Sequence, residues 1–214
     1  YVFIIIQYAR TLYAVQKFQK QAEDNFLKYF YLHSNLNKID PHLVFKIDSP
    51  SLWALNIYGN MLSCCLDLKY KILKIDEKNI YEKFITSDNP VCIFNPFFDV
   101  CKNITIDETA LGHKGIIMLI TISPKHAIII YDADTYKIGN RREWINITNS
   151  KDISIINKIV AINANKVLYY NQTEIIGQDL KNITCNFKSK DVSKPTIATF
   201  KENCSLSFMH FLNK

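Results

Sequence analysis

Three polar side chains interrupt an apolar segment near the start of the chain, and their types suit the binding of an anion. Gln7 and Arg10 are three residues apart and therefore project from one face of a helix, and Thr11 follows directly. An arginine among apolar residues requires a carboxylate, carbonyl oxygens or an anionic ligand, because an unpaired buried charge is very costly. We therefore predict that these three residues bind a ligand, with a structural ion pair of Arg10 as the alternative.

A second polar group is the string T-S-D-N-P at residues 86–90, which follows a short apolar stretch. Loops at the ends of strands commonly carry functional residues. We predict Asp88 and Ser87 as catalytic residues and Asn89 as a ligand-binding residue. The Asp88 carboxylate would act as a general base, or as the partner of Arg10. The alternative is a rigid turn, because Asp and Asn side chains accept hydrogen bonds from backbone amides two residues further on.

Two further candidates lie at the ends of the most apolar strands. Asp132 and Asp134 alternate along the chain, so both carboxylates point to the same side if the strand continues. Oxygen ligands of this kind bind Mg²⁺ or Ca²⁺. We predict Asp88 and Asp132 as metal ligands, with Mg²⁺ as the cofactor, and Ser123 as a ligand-binding residue. A solvated turn is the alternative for the two neighbouring aspartates.

The spacings of glycine, histidine and cysteine exclude several common sites. The 214 residues include 5 glycines, and no two of them fit the Gly-rich phosphate-binding motifs. No pair of histidines has the spacing of a helical zinc site, and the C-x-x-C motif of zinc ribbons and thioredoxin-like proteins does not occur. Hydrophobic residues make up 48% and charged residues 21%, which excludes a disordered or fibrous chain.

The charge balance is compatible with an anionic partner. The formal net charge is +6 and the pI is about 8.9, with the positive charge spread along the chain. Arg141 and Arg142 are adjacent in one loop. A mildly basic protein permits nucleic-acid binding without requiring it, and an anionic ligand or a nucleic acid is the expected partner. No segment is long and apolar enough to span a membrane, so we expect a cytoplasmic protein with no membrane partner.

The hydrophobic periodicity predicts the elements that must position these residues. Helices are predicted over residues 1–32, 51–65 and 149–171, and strands over 66–72, 84–86, 91–94, 115–122 and 127–131. This order indicates an α+β protein with a single domain, a long N-terminal helix, a central and mostly antiparallel sheet and a buried late helix. Residues 1–171 are expected to form the core, with residues 172–214 as a C-terminal extension packed on it. The alternation over residues 66–72 places Lys71 on the solvent-exposed face.

Taken together, these residues resemble a known family. The string T-S-D-N-P-V at residues 86–91 is the most specific feature, and the Q-Y-A-R-T, I-S-P and late-helix segments occur in the same order. Over roughly residues 7–170 the chain is similar to the bacterial family catalogued as domain of unknown function 4238. The resemblance implies a bacterial, non-membrane protein and no established activity. The family usually opens with an H-Y-V-P motif that this chain lacks, which implies a missing N-terminal segment of the same protein as a partner.

Two functions fit these observations. The first is a non-enzymatic binding or interaction module in a defence or stress system, with a buried Arg10–Asp88 polar cluster. Its binding surface would be the basic loop of Arg141 and Arg142 or the aromatic C-terminus. The alternative is a metal-dependent hydrolase of a phosphate ester or nucleic acid, in which Arg10 holds the anion and Asp88 binds the metal or activates water.

Overall fold

The described part of the chain is built around a five-stranded sheet with helices on both faces. The computed structural model describes residues 1–33, 47–78, 82–97 and 111–170. Its helices are α1 (Val2–Ala9), α2 (Leu12–His33), α3 (Pro50–Asn60), continued by a short 3₁₀ helix (Met61–Cys65), and α4 (Ser150–Asn163). Its strands are β1 (Lys69–Ile75), β2 (Thr86–Ser87), β3 (Val91–Phe94), β4 (Ile117–Ser123), β5 (His126–Tyr131), β6 (Trp144–Ile147) and β7 (Leu168–Tyr169). The predicted α+β class with a single domain is confirmed, whereas the C-terminal extension lies outside the described residues.

The large sheet has the strand order β3-β4-β5-β1-β6, and β2 pairs with β7 in a separate small sheet. Neighbouring strands of the large sheet are antiparallel except β1 and β6, which are parallel. The prediction of a mostly antiparallel sheet is therefore confirmed. The sequence does not predict the edge strand β6, because it has only four residues and follows directly on a polar loop.

Apolar side chains alternate between the two faces of the sheet and form two separate core clusters. On one face, Leu73 and Ile129 pack with the buried side of α4. On the other face, Met118 and Ile130 pack with side chains of α1, α2 and α3. The prediction of a buried late helix is confirmed. This helix ends at Asn163 rather than near residue 171, because the next residue leaves the helical conformation with a ψ of 142°.

The prediction of one long N-terminal helix is wrong, because the chain breaks between α1 and α2. Thr11 lies at the break and caps the second helix. Its hydroxyl donates to the carbonyl of Tyr8 (2.8 Å) and accepts from the backbone amide of Ala14 (3.1 Å). Among the described residues, no helix combines the length and the apolar character that crossing a membrane requires.

Gly115 occupies a crowded junction just before β4. Its amide donates to the carboxylate of Asp132 (2.8 Å), and its carbonyl accepts from the hydroxyl of Tyr136 (3.0 Å). Its φ is 81°, and a Cβ at this position would lie 2.5 Å from Cβ of Phe97 and 2.8 Å from Oδ1 of Asn95. Only glycine meets both the conformational and the steric requirement of this junction.

We expect Gly115→Ala to lower the free energy of unfolding by about 2 kcal/mol or more, because it adds both backbone strain and a clash. Gly59→Ala is the matched control, since a Cβ there would meet nothing within 4 Å. Gly59 lies in α3, where alanine stabilises a helix by about 0.5–1 kcal/mol relative to glycine. Chemical denaturation of both variants checks this. Equal unfolding midpoints for the two variants would contradict the role of Gly115.

Candidate functional site

The turn around Asp88 is tied to the chain that follows α4. The Asp88 carboxylate accepts hydrogen bonds from the backbone amides of Asn165 (2.9 Å) and Lys166 (2.8 Å). The Asp88 amide donates to the carbonyl of Val167 (3.1 Å), and β2 and β7 pair immediately beside this contact. The carboxylate therefore satisfies backbone donors just beyond the end of α4 and fixes where the chain leaves that helix.

Ser87 and Asn89 complete the same turn with buried polar groups. The Ser87 hydroxyl donates to the Asn89 carbonyl (2.9 Å), and the Asn89 amide donates to the Ser87 hydroxyl oxygen (3.2 Å). The carboxamides of Asn89 and Asn163 each donate to the other residue's carbonyl, both at 3.0 Å. These contacts are those of a rigid turn. The catalytic roles of Asp88 and Ser87 and the ligand-binding role of Asn89 stay predictions.

The predicted buried ion pair between Arg10 and Asp88 is wrong. Arg10 is the C-cap residue of α1 and its side chain is exposed. No ion pair of Arg10 occurs within the described ranges. An exposed guanidinium keeps its hydration and needs no carboxylate partner. The Thr11 hydroxyl is used in capping α2, and Gln7 is half-buried on α1. The ligand-binding role of these three residues stays a prediction.

Asp132 organises a second turn at the end of β5. Its carboxylate accepts hydrogen bonds from the amides of Gly115 (2.8 Å) and Asp134 (2.9 Å) and from the hydroxyl of Thr135. Partial burial raises the pKa of Asp132, but these hydrogen bonds outweigh it and hold the pKa below its ordinary value. Asp132 is therefore a carboxylate at neutral pH, and its oxygens are acceptors for the turn.

Asp88 and Asp132 lie at opposite ends of the sheet. Asp88 precedes β3 and Asp132 follows β5, and both strands run antiparallel to β4 between them. The seven residues of β4 separate the two ends by about 20 Å. One Mg²⁺ binds its ligands at about 2.1 Å, so these two aspartates do not share an ion. The described part of the chain contains no group of three or more His, Cys, Asp or Glu side chains suited to a metal, and the magnesium cofactor stays an untested prediction.

Ser123 closes the hairpin between β4 and β5. Its hydroxyl oxygen lies 2.9 Å from Nδ1 of His126 and accepts from the amides of Lys125 (3.3 Å) and His126 (3.0 Å). These contacts orient the imidazole ring. That ring meets Trp144 of β6 edge-on, with the ring centroids 6.1 Å apart. The ligand-binding role of Ser123 stays a prediction, and its observed role is to place His126 beside Trp144.

A buried lysine holds the loop that carries the two adjacent arginines. Lys71 is only 7% exposed, so the prediction that it faces solvent is wrong. Its ammonium donates to the carbonyl oxygens of Asn140 (2.7 Å) and Arg142 (2.6 Å). The alternation of side chains along β1 is the sequence signal for this burial, because Lys71 lies on the same face of the strand as the buried Leu73 and Ile75. The loop between β5 and β6 is therefore tied to β1 by two hydrogen bonds from one ammonium group.

Further contacts define the backbone of this loop, which we call the basic loop (residues 138–143). The Asn140 side chain accepts from the amide of Arg142 (2.9 Å). Gly139 has a φ of 60°, the left-handed conformation that turns require. Arg141 and Arg142 are both exposed. Because the backbone beneath them is held at several points, the two guanidinium groups extend from a defined position.

Beside the basic loop, part of the sheet is not covered by the helices that the structure describes. We call this part the open sheet face and define it by Tyr70, Ile72, Lys74, His126 and Trp144. The strand register aligns these residues, since Ile72 is opposite Trp144 and Lys74 is opposite His126. The exposed fraction is 51% for Trp144 and 41% for Tyr70. Large aromatic side chains exposed together commonly mark a binding site.

A second set of exposed apolar side chains lies on α1 and α3, and comprises Val2, Phe3, Ile6, Leu52 and Trp53. The two helices are joined by an edge-on contact between Tyr8 and Tyr58, with ring centroids 5.0 Å apart. Neither helix contains a charged residue. This surface therefore suits an apolar partner, whereas the surface around the basic loop suits an anionic one.

We expect Asp88→Asn to lower the free energy of unfolding by about 1–3 kcal/mol, because an amide nitrogen replaces one of the two acceptor oxygens. Amide hydrogen exchange at residues 165 and 166 should become faster. The exposed Asp67→Asn is the matched control and is expected to change stability by less than about 0.5 kcal/mol. If the two variants unfold at the same denaturant concentration, Asp88 does not tie the turn to α4.

Comparison with known protein families supports the resemblance that the sequence motifs indicate. The family described as "Protein of unknown function (DUF4238)" matches residues 2–174, which include every helix and strand described above. Comparisons with curated proteins and with solved structures find no match. The family match covers most of the 214 residues, including the turn at Asp88 and the basic loop. The chain therefore belongs to the DUF4238 family of proteins of unknown function.

Proposed function

We propose that this protein is a non-enzymatic binding module that recognises an anionic, phosphate-bearing ligand at the basic loop. The observation that carries the proposal is the Lys71 ammonium, which is buried beneath the loop and bound to two of its carbonyl oxygens. It holds the backbone from which Arg141 and Arg142 extend. A guanidinium binds phosphate oxygens through two parallel hydrogen bonds, which a lysine ammonium does not provide.

The fixed loop favours binding because less conformational entropy is lost when the ligand arrives. Immobilising a flexible side chain or loop costs free energy that reduces the affinity. The backbone of the basic loop is already ordered by Lys71 and Asn140. The formal net charge of +6 adds a long-range attraction that brings an anion toward the surface.

The hydrolase alternative has less support from the described residues. The carboxylates of Asp88 and Asp132 already accept hydrogen bonds from backbone amides. The two groups also lie at opposite ends of β4. A binding role that depends on exposed arginines requires neither carboxylate.

We expect the protein to bind inorganic polyphosphate, and Arg141→Gln with Arg142→Gln to weaken this binding by about tenfold or more at about 0.1 M salt. Two cation–phosphate contacts are lost, and fewer counterions are released on binding. The dependence of the binding constant on salt concentration should become shallower for the same reason. Isothermal titration calorimetry at several salt concentrations measures both quantities.

The control removes the same amount of charge from another surface. Lys20 and Lys28 are exposed on α2, and Lys20→Gln with Lys28→Gln changes the net charge by the same amount. We expect this variant to keep at least half of the wild-type affinity for polyphosphate. If both double variants lose the same amount of affinity for polyphosphate, binding depends on the net charge alone, and this contradicts a site at the basic loop.

A further inference from the structure

Resting on the proposed function, we propose that the anionic ligand is single-stranded RNA, with an unpaired base stacked on Trp144 and adjacent phosphates bound by Arg141 and Arg142. Single-stranded nucleic acids are bound by combining a positive surface for the phosphates with aromatic side chains for the bases. Here the two features are adjacent in the chain, because Trp144 begins β6 two residues after Arg142. Neither feature alone would identify the ligand.

The open sheet face supplies the surface for the base. Trp144 is opposite Ile72 in the register of β6 and β1, and the Trp144 and His126 rings lie edge to face with their centroids 6.1 Å apart. The residue is 51% exposed, so part of the indole is accessible to a base. A ring that already packs against a neighbour loses less conformational entropy on stacking than a freely rotating one. Since bases in a duplex are already stacked on one another, such a ring selects unpaired bases.

The charges near this face locate the phosphates. Lys74 lies on the open sheet face, but its ammonium is 3.7 Å from the Glu77 carboxylate, which offsets its charge. Arg141 and Arg142 are exposed at the edge of the sheet where β6 begins. The two arginines therefore supply exposed cations at this edge, and the RNA backbone would follow the edge strand with its bases turned toward Trp144.

Glu143 is the feature that favours RNA over DNA. It is exposed between Arg142 and Trp144, and the interaction of its carboxylate with the Tyr70 hydroxyl raises the pKa of that tyrosine. A carboxylate repels phosphate but accepts a hydrogen bond from a ribose 2′-hydroxyl. DNA has no such donor, so a carboxylate in this position distinguishes the two polymers.

The two tryptophans of the chain provide a matched pair of variants. Trp53 on α3 is 53% exposed and Trp144 on β6 is 51% exposed, and there are only two tryptophans in the sequence. Fluorescence anisotropy with labelled oligo(U) of about 12 nucleotides should give binding that Trp144→Leu weakens by about tenfold or more. Trp53→Leu should leave it within about twofold, since Trp53 lies outside the open sheet face. In the Trp53→Leu protein, Trp144 is the remaining tryptophan, and oligo(U) should quench its emission when tryptophan is excited selectively.

The arms of the experiment separate the two proposals. Trp144→Leu should retain wild-type binding of inorganic polyphosphate, which also reports that the variant is folded. Trp144→Phe should restore part of the oligo(U) affinity. Oligo(dU) of the same length should bind several-fold more weakly than oligo(U), and Glu143→Ala should reduce that ratio.

Three results would overturn the RNA assignment while leaving the phosphate-binding proposal in place. In the first, wild type and Trp144→Leu bind oligo(U) with equal affinity. In the second, the wild type binds oligo(U) and oligo(dU) with equal affinity. In the third, the wild type binds oligo(U) no more tightly than it binds polyphosphate of equal charge. If neither oligo(U) nor polyphosphate binds the wild type, both proposals fail. If oligo(U) binding depends on Trp144 while the double arginine variant binds polyphosphate normally, the proposed site at the arginines fails instead.

Discussion

One buried ammonium group is the constraint on which the proposed binding surface depends. Lys71 is 7% exposed, and its ammonium donates hydrogen bonds to two backbone carbonyl oxygens. Taking an ammonium out of water is costly unless hydrogen bonds replace its hydration. The basic loop supplies these hydrogen bonds, so the burial of the Lys71 ammonium and the ordering of the loop depend on the same contacts. Without the ammonium, the carbonyls of Asn140 and Arg142 would lose their hydrogen-bond donor, and the loop would lose its attachment to β1.

The unequal coverage of the sheet leaves this surface open. One face is covered by α4, whose end is fixed by the Asp88 carboxylate and by the Asn89–Asn163 pair. On the other face, α1, α2 and α3 pack on side chains of β3, β4 and β5. The parallel strand β6 extends the sheet beyond this packing. Because α4 holds the other face of the sheet in place, the strands that carry the aromatic residues of the open sheet face have defined positions.

Long apolar patterns were the part of the fold that could be predicted from the sequence. The β-branched runs of β4 and β5 and the buried face of α4 extend over many residues, so their types are clear without tertiary information. The break at Thr11 depends on one hydroxyl that bonds on both sides of it. The exposure of Arg10 and the burial of Lys71 reverse the expected environments of the two cations, because burial depends on which residues fold against them. The sequence placed Arg141 and Arg142 in a basic loop but could not pair that loop with Lys71, about 70 positions earlier.

Mapping amide and indole chemical shifts by NMR, while the full chain is titrated with oligo(U), locates the surface that binds single-stranded RNA. We expect the largest changes at Arg141, Arg142 and Trp144, with smaller changes at His126 and Tyr70. Signals from the apolar surface of α1 and α3 should stay in place. Shifts concentrated on Phe3, Ile6 and Trp53, or none at the basic loop with saturating RNA, would contradict it.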